Sequence, residues 1–158
     1  MTAENPVAGI AVASDFRDPV HCLLALALVP WLEGAMLRYI ELKTGYHDDG
    51  PAWIARVELS RSGQTLYFDG KALKRGGGGP GNYYDLETGE RYWVSGVKKR
   101  GGDRHWAGSG EITIEARAVA EYLKLVGEQE LDRRRFVVSD AIAPPDSAKF
   151  HELENKPL

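Results

Sequence analysis

The sequence predicts a mainly β protein, a small antiparallel barrel or bent sheet of SH3-like or OB-like size, closed by one C-terminal helix and flanked by irregular tails. Three observations lead to this prediction. Apolar and polar residues alternate in several short segments, as they do in half-buried strands. Glycine-containing turns separate these segments at close spacing. One stretch with helical periodicity follows, and short strands followed by a single helix are typical of a small closed sheet.

Composition divides the chain into three parts. Residues 1–35 carry a net charge of −3, and we predict that they form an N-terminal extension outside the domain, with Met36 a candidate for the natural start. Residues 36–127 hold the strand and helix signals and are predicted to be a β-rich domain with a terminal helix. Residues 128–158 are acidic and contain three prolines, which predicts a mostly irregular tail where only residues 133–138 are ordered.

Six segments of the domain have the pattern of strands. In the second, Trp53, Ala55 and Val57 alternate with polar residues, which is the period of two of a half-buried strand. A four-residue loop that carries Gly89 at its left-handed position predicts a hairpin between the fourth and fifth. The predicted strands are Leu37–Lys43, Trp53–Leu59, Thr65–Asp69, Asn82–Leu86, Arg91–Val97 and Glu111–Glu115.

One helix is predicted from Ala116 to Val126. Val119, Leu123 and Val126 recur at helical spacing, and Gly127 is a natural stop. Together the strands and this helix predict a single core, drawn from Ile40, Val57, Leu59, Leu66, Phe68, Leu86, Val94, Ile112, Ile114, Val119 and Leu123.

The predicted hairpin is rich in aromatic residues. Strand alternation places Tyr84 and Tyr92 on one face and Tyr83 and Trp93 on the other, so one set of rings packs inside and the other remains near solvent. Exposed rings on a sheet can stack on nucleic acid bases or line a peptide groove. Cross-strand pairing of rings, which stabilises a thin sheet, explains the same pattern equally well.

A glycine-rich run, residues 76–81, follows three cations. Its backbone N–H groups could surround a phosphate, but a phosphate-binding loop opens into a helix, whereas this run opens into a strand. Pro80 also removes one donor. We therefore interpret the run as a flexible hairpin tip.

A second glycine-containing stretch, residues 98–106, combines cations with an indole. Cations neutralise phosphates and an indole stacks on bases, as in proteins that bind single strands. The alternative is a solvated loop with the indole packed on the core. The predicted binding residues, including one tyrosine of the hairpin, are Lys98, Lys99, Arg100, Arg104, Trp106 and Tyr83.

Residues that carry catalysis or bind metals do not converge in the sequence. His47, His105 and His151 are far apart and have no metal-ligand spacing. An acidic turn at residues 47–49 lacks further oxygen ligands. We predict no catalytic residue, no metal and no cofactor.

The single cysteine, Cys22, excludes an intramolecular disulfide, which fits a reducing, cytoplasmic location. It lies in an apolar run, residues 19–32, that is shorter than the about 20 residues a membrane-spanning helix needs. Acidic residues precede this run, unlike the basic start of a secretory signal. The sequence therefore predicts no membrane association.

The middle of the chain resembles a group of short, uncharacterised bacterial proteins. The resemblance rests on RYIELKTGYHDDGPAWIARV, TLYFDGKALKRG, NYYDLETGERYWVSGVKKRGGDRHWAGSG and AEYLKLVG. Members are often labelled 1-deoxy-D-xylulose-5-phosphate synthase, a thiamine-diphosphate enzyme whose motif begins Gly-Asp-Gly and continues to an Asn. Here Phe68 stands before Asp69 and Gly70, and Asn82 follows too soon, so no residue is carried over as catalytic.

The charge pattern supports one function over the others. Residues 71–104 contain eight bases and four acids, although the whole chain has a net charge of −3. Such local positive charge attracts anionic partners. We therefore hypothesise a non-enzymatic small β-barrel binding module that contacts RNA or single-stranded DNA. The alternatives are a protein-interaction domain that uses an exposed aromatic sheet face, and an enzyme of unknown type.

Overall fold

The computed structural model of this protein describes residues 35–44, 49–77, 79–104 and 108–151. All of them belong to one compact unit, Gly34–Leu158. The predictions made for residues 1–34, for the turn at His47 and for Trp106 lie outside the described residues.

Six strands form a closed antiparallel barrel, as the fold class predicted. Each strand pairs with the next along the chain, and the first then pairs with the sixth to close the ring. The strands are β1 (Met36–Leu42), β2 (Ala52–Leu59), β3 (Thr65–Phe68), β4 (Lys71–Arg75), β5 (Tyr83–Asp85) and β6 (Arg91–Gly96).

Strand β4 was not predicted. Its sequence, Lys-Ala-Leu-Lys-Arg, has only Ala72 and Leu73 as apolar residues, so it shows no alternation of its own. It forms because β3 supplies a register in which Leu66 lies opposite Leu73 and Tyr67 opposite Ala72. Pairing with a neighbour therefore overrides a weak local preference.

Two further strands and one helix extend the sheet. Strand β7 (Ile112–Glu115) pairs in parallel with the first half of β2, whose second half pairs with β3. Strand β8 (Phe136–Ser139) pairs in parallel with β7. A 3₁₀ turn, Ala116–Ala118, leads into helix α1 (Val119–Val126), which ends at the left-handed Gly127. The predicted helix is confirmed. Among the described residues no helix is long and apolar enough to cross a membrane.

The prediction of a single core is wrong, because the barrel wall separates two large hydrophobic clusters, one inside the barrel and one outside it. In β1, Ile40 points into the barrel while its neighbour Tyr39 points outward, as the period of two requires. The 3₁₀ turn contributes Ala118 to the outer cluster, and helix α1 contributes Tyr122. The interior cluster contains Ile40, Ala55, Val57, Leu66, Phe68, Leu73, Tyr92, Val94 and Ile142, and the outer one contains Leu37, Tyr39, Ala52, Ile54, Ile112, Ile114, Ala118, Tyr122 and Phe136.

Most of the predicted core residues are buried, with one clear exception. Leu59, at the end of β2, is exposed. Residues after 127 contribute instead: Ile142 belongs to the interior cluster, and the ring of Phe150 stacks on Tyr67 with 6.3 Å between centroids. The packed part of the chain thus reaches Phe150.

Candidate functional site

The basic loop, residues 97–104, directly follows β6. Hydrogen bonds hold it at both of its ends. The backbone N–H of Lys98 donates to Asp103 Oδ1 at 2.7 Å. Arg104 is buried and donates to the carbonyl oxygens of Gly50 (3.0 Å) and Glu111 (3.3 Å). Charged donors make the stronger hydrogen bonds. These contacts hold the two ends of the loop while its tip projects outward.

Asp103 is the buried acidic anchor of this loop. Burial raises its pKa, and the hydrogen bond from the Lys98 backbone and the positive charges of Lys98 and Arg135 oppose that rise. The hydroxyl of Tyr122 also donates to Asp103, and burial raises the pKa of Tyr122 to about 12. Because Tyr122 keeps its proton at neutral pH, it ties the loop to helix α1.

The structure separates the five predicted binding residues that it describes. Lys98, Lys99 and Arg100 are exposed at the tip of the basic loop. Arg104 is buried at its base, where it anchors the backbone. Tyr83 packs against the interior cluster of the barrel. Trp106 lies outside the described residues. Three cations thus remain together on the surface.

The hairpin register corrects the predicted faces of the aromatic residues. Tyr83 lies opposite Tyr92, and Tyr84 opposite Arg91. Directly opposite residues share a face, so Tyr83 and Tyr92 point into the barrel, and Tyr84 and Trp93 point outward. The prediction was wrong by one residue, and such a slip moves every side chain to the other face.

Trp93 is the functional candidate that sequence reasoning missed. Its side chain is 44% exposed, which makes it one of the few large apolar residues on the described surface. The available signal was the loop itself: the N–H of Asp85 donates to the carbonyl of Glu90, and Gly89 has φ 74°, so the loop covers residues 86–89. Counting outward from this loop places Trp93 on the face of Tyr84 and Tyr83 on the face of Tyr92, which separates the exposed indole from the tyrosine that packs inside.

A cavity of about 330 Å³ lies beside Trp93. Strands β1 and β6 form its base, with Glu41 opposite Trp93 and Tyr39 opposite Ser95. The basic loop contributes Lys98 to its wall. The indole and Lys98 therefore border the same space, together with the buried Asp103.

A second cavity, about 550 Å³, separates the basic loop from an acidic segment, residues 128–132. The charged residues that line it are Lys98, Lys99, Arg100, Arg135, Glu128, Glu130 and Asp132. Both sides are exposed, so solvent and salt screen their attraction. The acidic segment reduces the net positive potential of the loop without covering it.

The glycine loop, residues 76–81, lies against the barrel, and the structure describes all of it except Gly78. A side chain at Gly76 would come within 2.7 Å of the Tyr84 ring. The guanidinium of Arg91 stacks over the same ring at 5.5 Å. The second outward-facing aromatic residue is therefore covered by its own chain.

The described residues contain no group of three or more His, Cys, Asp and Glu side chains that could hold a metal ion. Comparison with protein families, curated proteins and solved structures finds no match for this chain. The chemistry of the surface is therefore the basis for a functional conclusion.

Proposed function

We propose that this protein is a small β-barrel binding module for single-stranded nucleic acid, RNA or DNA. The contact surface consists of Trp93 on β6 and the cations Lys98, Lys99 and Arg100 at the tip of the basic loop. In the sequence hypothesis the aromatic partners were Tyr83 and Trp106. Trp93 takes the place of Tyr83, because Tyr83 packs against the barrel interior.

The observation that supports this proposal is an exposed indole next to exposed cations. Trp93 and Lys98 line the same cavity, and Lys99 and Arg100 follow directly in the chain. A base can stack on the indole while its phosphates approach the cations. Stacking contributes about 1–3 kcal/mol per base and tolerates every base, since each has a flat π-face.

The anchors of the loop support the same proposal. Asp103 holds the loop through a partly buried hydrogen bond from the Lys98 backbone, and Arg104 holds it through a buried hydrogen bond to Gly50. The exposed cations therefore belong to a segment that is already fixed at both ends before binding. Less ordering means a smaller entropic cost of association. Arg104 is thus assigned a positioning role instead of a phosphate contact.

Binding of a fluorescent single-stranded oligonucleotide, measured by anisotropy at several salt concentrations, tests the proposal. With three phosphate contacts, the logarithm of affinity should fall against the logarithm of salt with a slope of about −2. Lys99→Gln should weaken binding and reduce the steepness of that slope by about 0.7. Absence of binding at low salt would refute the proposal.

Arg61→Gln provides the matched control. Arg61 is an exposed cation in the turn between β2 and β3, so its loss changes the net charge by the same amount outside the proposed surface. Its slope should equal that of the unmodified protein. Equal effects of the two substitutions would mean that net charge, and not the basic loop, drives binding.

A protein partner is the second candidate, and the outer edge of β8 favours it. Val137 and Val138 are 43% and 52% exposed, and within the described residues no strand pairs with that edge. An open edge can accept a partner's strand. A pull-down that survives nuclease and high salt, and that a proline at Val138 abolishes, would support this function instead.

A further inference from the structure

Strand β8 is the open end of the sheet. Among the strands that the structure describes, it alone has a single neighbour, since every other strand pairs on both of its sides. An unpaired edge presents N–H and C=O groups to other chains, and charged side chains within the strand are a common protection. The middle of β8 instead consists of two exposed valines, Val137 and Val138.

The pairing with β7 determines which backbone groups of β8 face outward. The N–H of Ile112 donates to the carbonyl oxygen of Arg135 at 2.8 Å, and Ile112 lies opposite Phe136. In a parallel ladder, alternate residues of a strand bond to the same neighbour. The backbone of Val137 therefore faces β7, whereas the backbones of Phe136 and Val138 face the open side.

Three backbone groups remain for a partner on the open side. The N–H of Phe136 donates to the carbonyl oxygen of Asp132 at 3.0 Å, so Phe136 keeps only its carbonyl there. Val138 adds one N–H and one C=O, and no hydrogen bond among the described residues uses them. Directly opposite residues of an antiparallel pair exchange two hydrogen bonds. Val138 of one copy, placed opposite Val138 of a second copy, therefore satisfies the groups of both.

The charges at the two ends of β8 fit this arrangement. The exposed Arg133 and Arg134 precede the strand, and the exposed Asp140 follows it. Antiparallel pairing brings the basic end of one copy to the acidic end of the other, and it does so twice. Parallel pairing would bring like charges together, which destabilises a strand pair. The edge is therefore complementary to itself in one direction only.

We propose that two copies of this protein pair through β8, antiparallel and related by a two-fold axis at Val138. This contact goes beyond nucleic acid binding and names a second copy of the chain as the partner of the open edge. Each copy uses the same edge, so the contact is closed and stops at two. Within the described part of the chain, no other open strand is left to extend the sheet.

Sedimentation velocity of the full chain at several concentrations tests the pairing. An interface built on one short strand belongs to the weak class, so the useful range is about 1 μM to about 1 mM. The mean mass should rise with concentration toward twice that of one chain. A mean mass of one chain at every concentration would overturn the proposal and leave the edge to a different protein.

Val138→Pro removes the N–H that the pairing needs. Proline is tolerated in an edge strand where the N–H faces solvent, so the fold should persist and the dimer should be lost. Val138→Thr is the matched control: it keeps the N–H and a β-branched side chain, and should dimerise like the unmodified protein. Dimers of Val138→Pro as stable as those of the unmodified protein would place the contact at another surface and reject β8.

Charge reversal at the ends of β8 tests the direction of pairing. One variant carries Asp140→Lys, and the other carries Arg133→Glu with Arg134→Glu. Each homodimer then brings like charges together at both ends, so its dissociation constant should rise by about 10-fold. An equal mixture pairs opposite charges again and should restore dimers.

The mixture decides the proposal even if Val138→Pro does not fold, since the charge variants replace exposed side chains. Heterodimers that form at concentrations where each variant alone is monomeric would support antiparallel pairing of β8. A mixture that stays as monomeric as its two components would overturn it.

Discussion

Two loops of similar composition have opposite positions in this molecule. The glycine loop and the basic loop both combine glycines with nearby cations and an aromatic residue. The glycine loop packs on Tyr84 and Arg91 of its own barrel. The basic loop leaves Lys98, Lys99 and Arg100 exposed, and Lys98 lines a cavity with Trp93. The comparison teaches that composition alone does not predict accessibility. The contacts that each loop makes with side chains of the barrel decide it.

The largest expected effect concerns the glycine loop. At Gly81 φ is 123°, and an added Cβ would lie 2.5 Å from the carbonyl oxygen of Tyr92. Backbone strain and steric overlap together should make Gly81→Ala cost about 4 kcal/mol in the free energy of unfolding. Urea denaturation measures this loss.

Gly77→Ala is the control for that measurement. A Cβ at Gly77 would meet nothing within 4 Å, and its φ is not in the left-handed region. Its loss of stability should stay below about 1 kcal/mol. Equal losses at the two positions would mean that the glycine loop is not held against β6.

An intermediate effect should come from the acidic anchor of the basic loop. The folded pKa of Asp103 is raised above its ordinary value of 3.8, chiefly by burial. The folded state then binds a proton more tightly than the unfolded one, so the stability contribution of this group is fully present below pH 3.8 and is lost as pH rises through the folded pKa.

Asp103→Asn removes this titration. Unfolding free energies of both proteins, measured from about pH 3.5 to about pH 7, should show the unmodified protein losing stability relative to the variant, by about 1.4 kcal/mol per unit of pKa difference. Because other groups titrate alike in both proteins, the difference isolates Asp103. If the unfolding free energy of the unmodified protein instead rises relative to that of Asp103→Asn as the pH increases, the Lys98 and Tyr122 contacts outweigh burial.

The smallest expected effect concerns stability at the tip of the basic loop. Lys99→Gln and Arg100→Gln replace exposed side chains, so each should change the unfolding free energy by less than about 0.5 kcal/mol. Thermal or urea unfolding checks this. A larger loss would mean that these cations stabilise the fold through the acidic segment, and would weaken the contrast between the two loops.

Local pattern predicted much of the fold. Strand β2 follows from the alternation of Trp53, Ala55 and Val57, and helix α1 from the spacing of Val119, Leu123 and Val126. In both cases a single element repeats its own periodicity, so its sequence is sufficient. The parallel pairing of β7 with β2 depends on distant residues, and no local periodicity encodes it.

The candidate site was less predictable, because it depends on register and burial. One residue of register decided whether Tyr83 shared the solvent-facing side of Trp93 or packed inside with Tyr92. Arg104 and Arg100 both lie among glycines and cations in the sequence. Arg104 is nevertheless buried, because its guanidinium donates hydrogen bonds to the carbonyl oxygens of Gly50 and Glu111. The side chains of Lys98, Lys99 and Arg100 are exposed, whereas that of Arg104 is buried, and composition alone does not distinguish the two cases.

Closure of the ring between β1 and β6 has a consequence for folding. Leu42 pairs with Tyr92 and Arg38 with Gly96, partners that are about fifty residues apart or more, whereas the pairs from β2 to β6 join near neighbours. Distant contacts form late, since the chain entropy lost in joining them is large. During synthesis, a chain that has emerged only as far as Asp85 can form its early hairpins. One edge of β1 can then pair with β2, but its other edge stays unpaired until β6 has been synthesised and has emerged.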